Sequence, residues 1–285
     1  MNGIIIVNKP QGYTSRDVVN KLTKIFKTKK IGHTGTLDPI ATGVLVVCIG
    51  QCTKLCDLLT STYKEYIATI KLGFKTDTLD ITGTTIETKN IPQLNKETII
   101  AVLNSFLGSS IQTTPIYSAV KVNGKKLYEY ARQGQNVELP KREINIKEIK
   151  LLSFNKDEIT FKTTVSKGTY IRALIDDICQ KLNTVGTMSS LTRTKQGSFT
   201  IEDSSSLEEI EKNNYKLLSI EEVLTDLEKI NIDDNLYQKI KNGSIIDKTF
   251  SSNIACLAYK NKIIAIYQTY DKDCQKAKPL KMFIN

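Results

Sequence analysis

One stretch decides the fold of this chain: Gly32-His33-Thr34-Gly35-Thr36-Leu37-Asp38-Pro39-Ile40-Ala41-Thr42-Gly43. It contains three glycines, a proline and the chain's only histidine, a composition typical of a shaped loop and unfavourable for a periodic helix or strand. The apolar residues 44–49 that follow have the length and β-branched content of a buried strand. The sequence therefore predicts that Asp38 is displayed on a glycine-rich loop supported by the core, where reactive groups are often presented. An Asp-Pro pair that only initiates a turn is the alternative that this stretch leaves open.

Composition indicates a globular protein with an anionic partner. The 285 residues include 40 Lys plus Arg against 30 Asp plus Glu, a formal net charge of +10. This excess fits nucleic acid, although a lysine-rich surface that only aids solubility would give the same count. No apolar run approaches the ~20 residues that cross a bilayer, and the N-terminus lacks the pattern of a secretory signal. We therefore expect a cytoplasmic protein without a membrane segment.

Cysteines and acidic residues leave a metal site as an alternative that we consider weaker. Cys48, Cys52 and Cys56 are spaced by four, but no Cys-x-x-Cys or second histidine completes a tetrahedral set. Six cysteines in a chain of this length fit buried thiols in a reducing compartment better than a disulfide framework. Asp77 and Asp80 could join Asp38 as ligands of a metal-dependent nuclease, although hydrogen bonds within a turn account for them better. No metal or cofactor is expected.

Periodicity places the main elements along the chain. It predicts strands at residues 3–7, 64–73, 142–149 and 159–165, and further strand-like segments at 254–257, 263–267 and 279–283. It predicts helices beginning at Ser15 as N-cap, at Asn95 as N-cap, and behind Ile171. Residues 124–134 are predicted as a helix in which lysines, an arginine and tyrosines alternate, a surface suited to RNA. Two acidic helical segments at 204–229 precede residues 231–235, which look like a linker.

The central stretch resembles the catalytic motif of the bacterial tRNA pseudouridine synthase B family. The resemblance extends over most of the chain, through motifs at residues 8–15, 64–66, 76–83, 112–119, 167–172 and 191–194. Two positions depart from the family pattern. Thr114 stands in place of a proline, which we expect to loosen a turn, and Thr192 stands in place of an arginine.

The resemblance implies an α/β (α+β) fold. Its centre would be a mixed, mostly antiparallel sheet flanked by helices, with the Asp38 loop in a central cleft. Residues 1–230 would form the catalytic domain, and residues 231–285 a small C-terminal RNA-binding β domain of the PUA type.

The resemblance also implies the reaction and the residues that carry it. The uridine at position 55 in the T loop of tRNA would flip into the cleft and be isomerised to pseudouridine, through a covalent adduct or a glycal. Asp38 would be the catalytic residue and Arg172 its ion-pair partner. The remaining binding residues would be Tyr66 stacking on the uracil, Tyr170 at the base, Leu191 in the uracil pocket, His33 filling space in the RNA, and Lys9, Lys54 and Arg193 as positioning contacts.

Expectations about partners follow from the same resemblance. We expect a monomer that binds the T-arm stem-loop of tRNA and needs no obligatory protein partner. The alternative function is a non-catalytic RNA-binding protein or tRNA chaperone, which would explain the charge and the aromatic residues but not the ordered set of motifs.

Overall fold

The computed structural model describes residues 1–284, which form eighteen strands and eight α-helices. The strands are β1 Gly3–Lys9, β2 Ile31–His33, β3 Thr42–Ile49, β4 Lys64–Leu72, β5 Phe74–Thr76, β6 Thr85–Thr88, β7 Gly108–Thr113, β8 Lys121–Val122, β9 Lys125–Lys126, β10 Lys141–Phe154, β11 Glu158–Val165, β12 Gly186–Gln196, β13 Phe199–Thr200, β14 Glu228–Asn231, β15 Ile246–Asp247, β16 Ile254–Tyr259, β17 Lys262–Tyr270 and β18 Asp273–Met282. The helices are α1 Ser15–Ile25, α2 Cys56–Thr60, α3 Lys96–Asn104, α4 Leu127–Arg132, α5 Ile171–Lys181, α6 Leu207–Glu211, α7 Ile220–Val223 and α8 Asp234–Lys241.

A nine-stranded sheet forms the centre of the molecule. Its main path runs β1-β3-β12-β4-β11-β10-β7, with β2 paired to β3 and β13 paired to β12. All of these pairs are antiparallel except β3 with β12, which is parallel. The predicted mixed, mostly antiparallel sheet is therefore confirmed.

Strand β3 is buried on both of its faces. Because side chains alternate along a strand, one set faces α1 and α6 in one core, and this set is Leu45, Val47 and Ile49. The other set packs in a second core with residues of the C-terminal strands β16 and β17, and it is Val44, Val46 and Cys48. The continuous apolar run that suggested a buried strand is thus explained by two cores, one on each side.

Helices α3 and α5 cover the other half of the sheet. Their apolar faces pack with alternate side chains of β4, β10 and β11 in a third core. Helix α5 buries seven of its eleven residues, including Arg172 in its first turn. This burial fixes the start of α5 against the sheet, and the start of α5 carries site residues.

A second, five-stranded sheet forms the C-terminal part, in the order β14-β16-β17-β18-β15, and it has its own core with α8. The predicted linker at residues 231–235 is wrong. Asn231 ends β14, which pairs in parallel with β16, and the Asp233 side chain caps α8 by accepting from the Leu236 amide. The division into domains at residue 230 stays a prediction, and the pairing of β14 favours a boundary a few residues earlier. None of the helices within residues 1–284 is long and apolar enough to cross a membrane.

Three local predictions need correction. Thr14, not Ser15, is the N-cap of α1, through a capping box with Asp17. Residues 124–134 are not a single helix, because a two-stranded ribbon, β8 with β9, precedes the short helix α4. Thr114 ties its turn instead of loosening it, since its N–H donates to Pro140 O at 2.9 Å, a bond that proline cannot make.

Candidate active site

The Asp38 loop is held at two points by side chains that precede it in the chain. The buried Ser15 hydroxyl accepts a hydrogen bond from the Leu37 amide at 2.8 Å. Lys9 Nζ donates to Pro39 O at 3.4 Å and to the carbonyls of Pro10 and Tyr13 at 2.9 and 2.6 Å. The Ser15 bond explains why this residue sits inside α1 and is not its cap. The loop is therefore rigidly placed before any substrate arrives.

Gly43 closes the loop onto the sheet. It has φ +96°, which L side chains rarely adopt, and a Cβ there would lie 2.3 Å from Arg193 O. This close approach is the start of the parallel pairing between β3 and β12. The glycine that ends the central motif is thus required by backbone contact.

Asp38 forms an ion pair with Arg172 across the cleft. Arg172 Nε lies 2.9 Å from Asp38 Oδ2, and Nη2 donates to Oδ1 at 3.2 Å, so both carboxylate oxygens are engaged. The Arg172 side chain is 6% exposed and the Asp38 side chain 33%. Asp38 is therefore oriented by a buried guanidinium while one part of its carboxylate stays open to the cleft.

Arg172 is fixed by more than Asp38. Its Nη1 donates to Thr78 O at 2.8 Å and its Nη2 to Tyr117 O at 3.0 Å. The guanidinium is planar and its donors point in fixed directions, so these carbonyls set the plane in which it meets the carboxylate. Arg172 thereby joins three segments that are distant in sequence.

A cleft of about 480 Å³ opens beside Asp38. Six of the nine predicted site residues line it: Asp38, Tyr66, Tyr170, Arg172, Leu191 and Arg193. Tyr66 on β4 and Arg193 on β12 are register partners, and Arg193 Nη1 lies 3.5 Å from Tyr66 Oη. The structure therefore brings together residues that are up to 155 positions apart in the sequence, as the span from Asp38 to Arg193 shows.

Arg193 is a buried cation whose polar contacts are mainly backbone carbonyls. Nε donates to Val44 O at 2.6 Å and Nη2 to Gly35 O at 3.1 Å. It thus supports both ends of the Asp38 loop from below. Its role as a positioning contact towards a substrate stays a prediction.

Two lysines near Asp38 are weakly basic because they are buried. Burial lowers the pKa of Lys9 to about 8, an effect that Asp38 partly opposes. Burial also lowers the pKa of Lys64 to about 8, with the neighbouring charges of Arg193 and Lys167 adding to it. Both amines hold backbone carbonyls, since Lys64 Nζ donates to Thr60 O and Thr62 O at 2.8 and 2.9 Å.

Among residues 1–284, the lining of the cleft does not include the other three predicted site residues, which are Lys9, His33 and Lys54. His33 lies in a separate groove with Arg16, Lys29 and Lys30, where burial lowers its pKa. Lys54 Nζ donates to Met282 O at 2.6 Å and so ties the catalytic region to β18. Lys9 sits behind the Asp38 loop. The structure gives Lys9 and Lys54 bracing contacts, and their roles towards a substrate stay predictions.

The lining residues that the sequence analysis did not name as site residues include Lys64, Tyr117, Tyr128 and Lys167. Lys64 could have been found, because it precedes Tyr66 by two positions on a strand and must share its face. Tyr117 contributes its backbone carbonyl, which carries no signature in the sequence.

Asp77 and Asp80 use their carboxylates within the protein. Asp77 accepts from the Thr84 amide at 2.8 Å and from the Tyr117 hydroxyl at 3.0 Å, and Asp80 accepts from the Thr82 amide at 3.0 Å. The interpretation of these aspartates as formers of loop hydrogen bonds is confirmed.

Comparison with known proteins agrees with the geometry. Residues 23–171 match the TruB family pseudouridylate synthase (N terminal domain). A tRNA pseudouridine synthase B from Bacillus cereus is 42% identical over the whole chain and 98% of its own length, and one from Clostridium tetani is 44% identical over 94% and 92%.

Solved structures resemble this chain in fold. A chain in an H/ACA RNP bound to a substrate RNA containing 2′-deoxyuridine has a TM-score of 0.74 at 22% identity, covering 99% of this chain and 85% of its own length. A chain in a Cbf5-Nop10-Gar1 complex has a TM-score of 0.73 at 24% identity, covering 99% and 84%. With the family match over the Asp38 motif and full-length relatives above 40% identity, the chain belongs to the TruB family of pseudouridylate synthases.

Proposed function

We propose that this protein isomerises the uridine at position 55 in the T loop of tRNA to pseudouridine. The observation that carries the proposal is the carboxylate of Asp38, held on both oxygens by Arg172 at the wall of an open cleft, in a member of this family. The names of the full-length relatives support tRNA as the substrate.

The reaction asks little beyond a well-placed carboxylate. The bond from N1 to C1′ of the ribose breaks, the base turns, and C5 bonds to C1′, while C5 loses a proton and N1 gains one. Asp38 would either attack C1′ and form a covalent adduct, or assist elsewhere on the ribose so that a glycal forms. Arg172 would keep the carboxylate aimed, so that no reorganisation is needed during the step.

The remaining lining residues would receive the flipped base. Extracting a nucleotide from its stack costs a few kcal/mol, and stacking on Tyr66 would return ~1–3 kcal/mol. Leu191 would pack against the uracil, and Tyr170 would relay the C5 proton to a water, taking up one proton as it gives its own away. His33, in its separate basic groove, would fill the space that the base leaves in the RNA.

We also propose the wider organisation of the molecule. The catalytic domain, predicted as residues 1–230, would end just before β14, and the small PUA-like RNA-binding domain, predicted as residues 231–285, would begin with that strand. Lys9, Lys54 and Arg193 would position the elements that meet the RNA. The protein would act as a monomer. It would work in the cytoplasm, a location that its proposed tRNA substrate and its six free thiols support.

The test is isomerisation of an unmodified T-arm stem-loop, in EDTA, read by carbodiimide labelling of pseudouridine. Wild type should convert only the T-loop uridine, and Asp38→Asn should bind the RNA but leave it unchanged. Asp57→Asn is a matched control, because Asp57 is 91% exposed and is not among the residues that line the cleft. Binding without product from the wild type would replace the proposal with an RNA chaperone.

A further inference from the structure

The start of α5 is held by a side chain that has no assigned role. Gln112 is the only buried residue of the edge strand β7 and is 2% exposed. Its Oε1 accepts from the Tyr170 amide at 2.8 Å, and its Nε2 donates to Tyr170 O at 3.1 Å. One planar amide therefore satisfies both backbone groups of a single residue, as a strand neighbour would.

Tyr170 is the point from which the site residues of α5 are placed. It is the N-cap of α5 and lacks a side-chain cap of its own, with extended φ −96° and ψ 113°. A helix N-terminus has unsatisfied amides, so an external partner decides where the first turn begins. Arg172 follows two positions later, and its Nε lies 2.9 Å from Asp38 Oδ2.

The residue paired with Gln112 acts on the same segment. Arg142 on β10 is its register partner. The Arg142 guanidinium carbon lies 5.3 Å from the centroid of the Tyr170 ring, and Nη1 donates to Gly168 O at 3.3 Å. Gln112 thus holds the backbone of Tyr170 while Arg142 covers its ring, and both come from one end of the sheet.

We propose that Gln112 is a positioning residue for the isomerisation, which acts through Tyr170 to set the Arg172–Asp38 geometry. The inference rests on the proposed function of the cleft. Only an amide of this length supplies both a donor and an acceptor here: ionised Glu lacks the donor, and Asn is one methylene shorter. Displacing a reacting group by about 1 Å can cost ~100-fold in rate.

The test compares Gln112→Met with Gln180→Met in single-turnover isomerisation and RNA binding. Methionine preserves the size of the side chain but removes both hydrogen bonds. Gln180 lies near the other end of α5, where its amide donates to Asp176 Oδ2 at 3.0 Å, and neither residue lines the cleft. We expect Gln112→Met to lower the rate ~10–100-fold with unchanged affinity, and Gln180→Met to change neither.

A double-mutant cycle with Arg172→Lys separates positioning from general stability. If Gln112 acts through Arg172, the two rate losses will not add. A loss in affinity alone, or rate losses that add, would overturn the proposal. Should Gln112→Met fail to fold, Gln112→Glu keeps the acceptor for the Tyr170 amide and takes its place in the cycle with the same criteria.

A readout without turnover keeps the two proposals apart. The side-chain Nε–H resonance of Arg172 in ¹⁵N NMR reports its pairing with Asp38. We expect this resonance to shift in Gln112→Met and to stay in place in Gln180→Met. An inactive wild type would refute the proposed function and with it any role of Gln112 in the reaction, whereas an active wild type with an unshifted resonance in Gln112→Met would refute the positioning role alone.

Discussion

Replacing Arg172 should destabilise the folded protein far more than replacing its partner Asp38, although both changes should abolish isomerisation. The asymmetry follows from exposure: the side chain of Arg172 is 6% exposed and that of Asp38 33%. Water in the cleft can reach Asp38 when its partner is removed. It cannot readily replace the guanidinium, which also serves two backbone carbonyls.

The magnitude can be worked from these contacts. Arg172→Met deprives Thr78 O and Tyr117 O of a donor, at ~1 kcal/mol each for partly buried acceptors, and leaves Asp38 without its counter-ion. We expect a total loss of ~3 kcal/mol. Asp38→Asn keeps an oxygen for Arg172 Nη2 and both carbonyl contacts, so we expect ~1 kcal/mol.

Urea unfolding of both variants and wild type measures the difference. Arg16→Met and Asp57→Asn are matched controls on exposed positions, where changes should stay within ~0.5 kcal/mol. If Asp38→Asn were as destabilising as Arg172→Met, the ion pair with Asp38 would be the main interaction that stabilises the buried Arg172. The idea that the carbonyls fix it would then be wrong.

Two further predictions concern the loop and its buried amines. Gly43→Ala should cost at least ~2 kcal/mol in urea unfolding, because the φ of +96° is strained for alanine and its Cβ would meet Arg193 O. A loss below ~1 kcal/mol, or the gain of ~0.4–1 kcal/mol that alanine gives at a compatible glycine site, would contradict this. Lys9 and Lys64 have folded pKa values of about 8, below the usual 10.5, so between pH 8 and 10.5 the unfolded chain binds more protons and stability should rise with pH. Lys64→Met should flatten this rise in urea midpoints measured from pH 7 to 9.5, and an unchanged slope would mean that Lys64 titrates normally.

The sequence was informative where local pattern and burial agree. The run that became β3 was recognisable because every one of its side chains is apolar or small and both faces meet a core. The loop at Asp38 was recognisable from its glycines. The Arg172–Asp38 pair was reached only by family resemblance, because the two residues are 134 positions apart and no local signal links them.

The failures have physical causes of their own. The segment 231–235 is polar enough for a linker, yet Asp233 is there as a helix cap, and caps and linkers share the same residue types. That His33 and Lys54 lie outside the lining of the cleft could not be predicted, because the local sequence does not tell which way a side chain points. The backbone carbonyls of Thr78 and Tyr117 orient Arg172, but no side-chain pattern in the sequence can predict a backbone contact.

The burial of β3 on both faces bears on how this enzyme can change over time. The strand that begins at the Asp38 loop also forms the surface against which the C-terminal sheet packs, through Val44, Val46 and Cys48. A shortened descendant lacking that sheet would expose this surface to water and lose support beneath its own loop. Truncation of the gene should therefore not yield a smaller stable synthase. Substitutions in the core residues of one sheet should require compensating substitutions in the other.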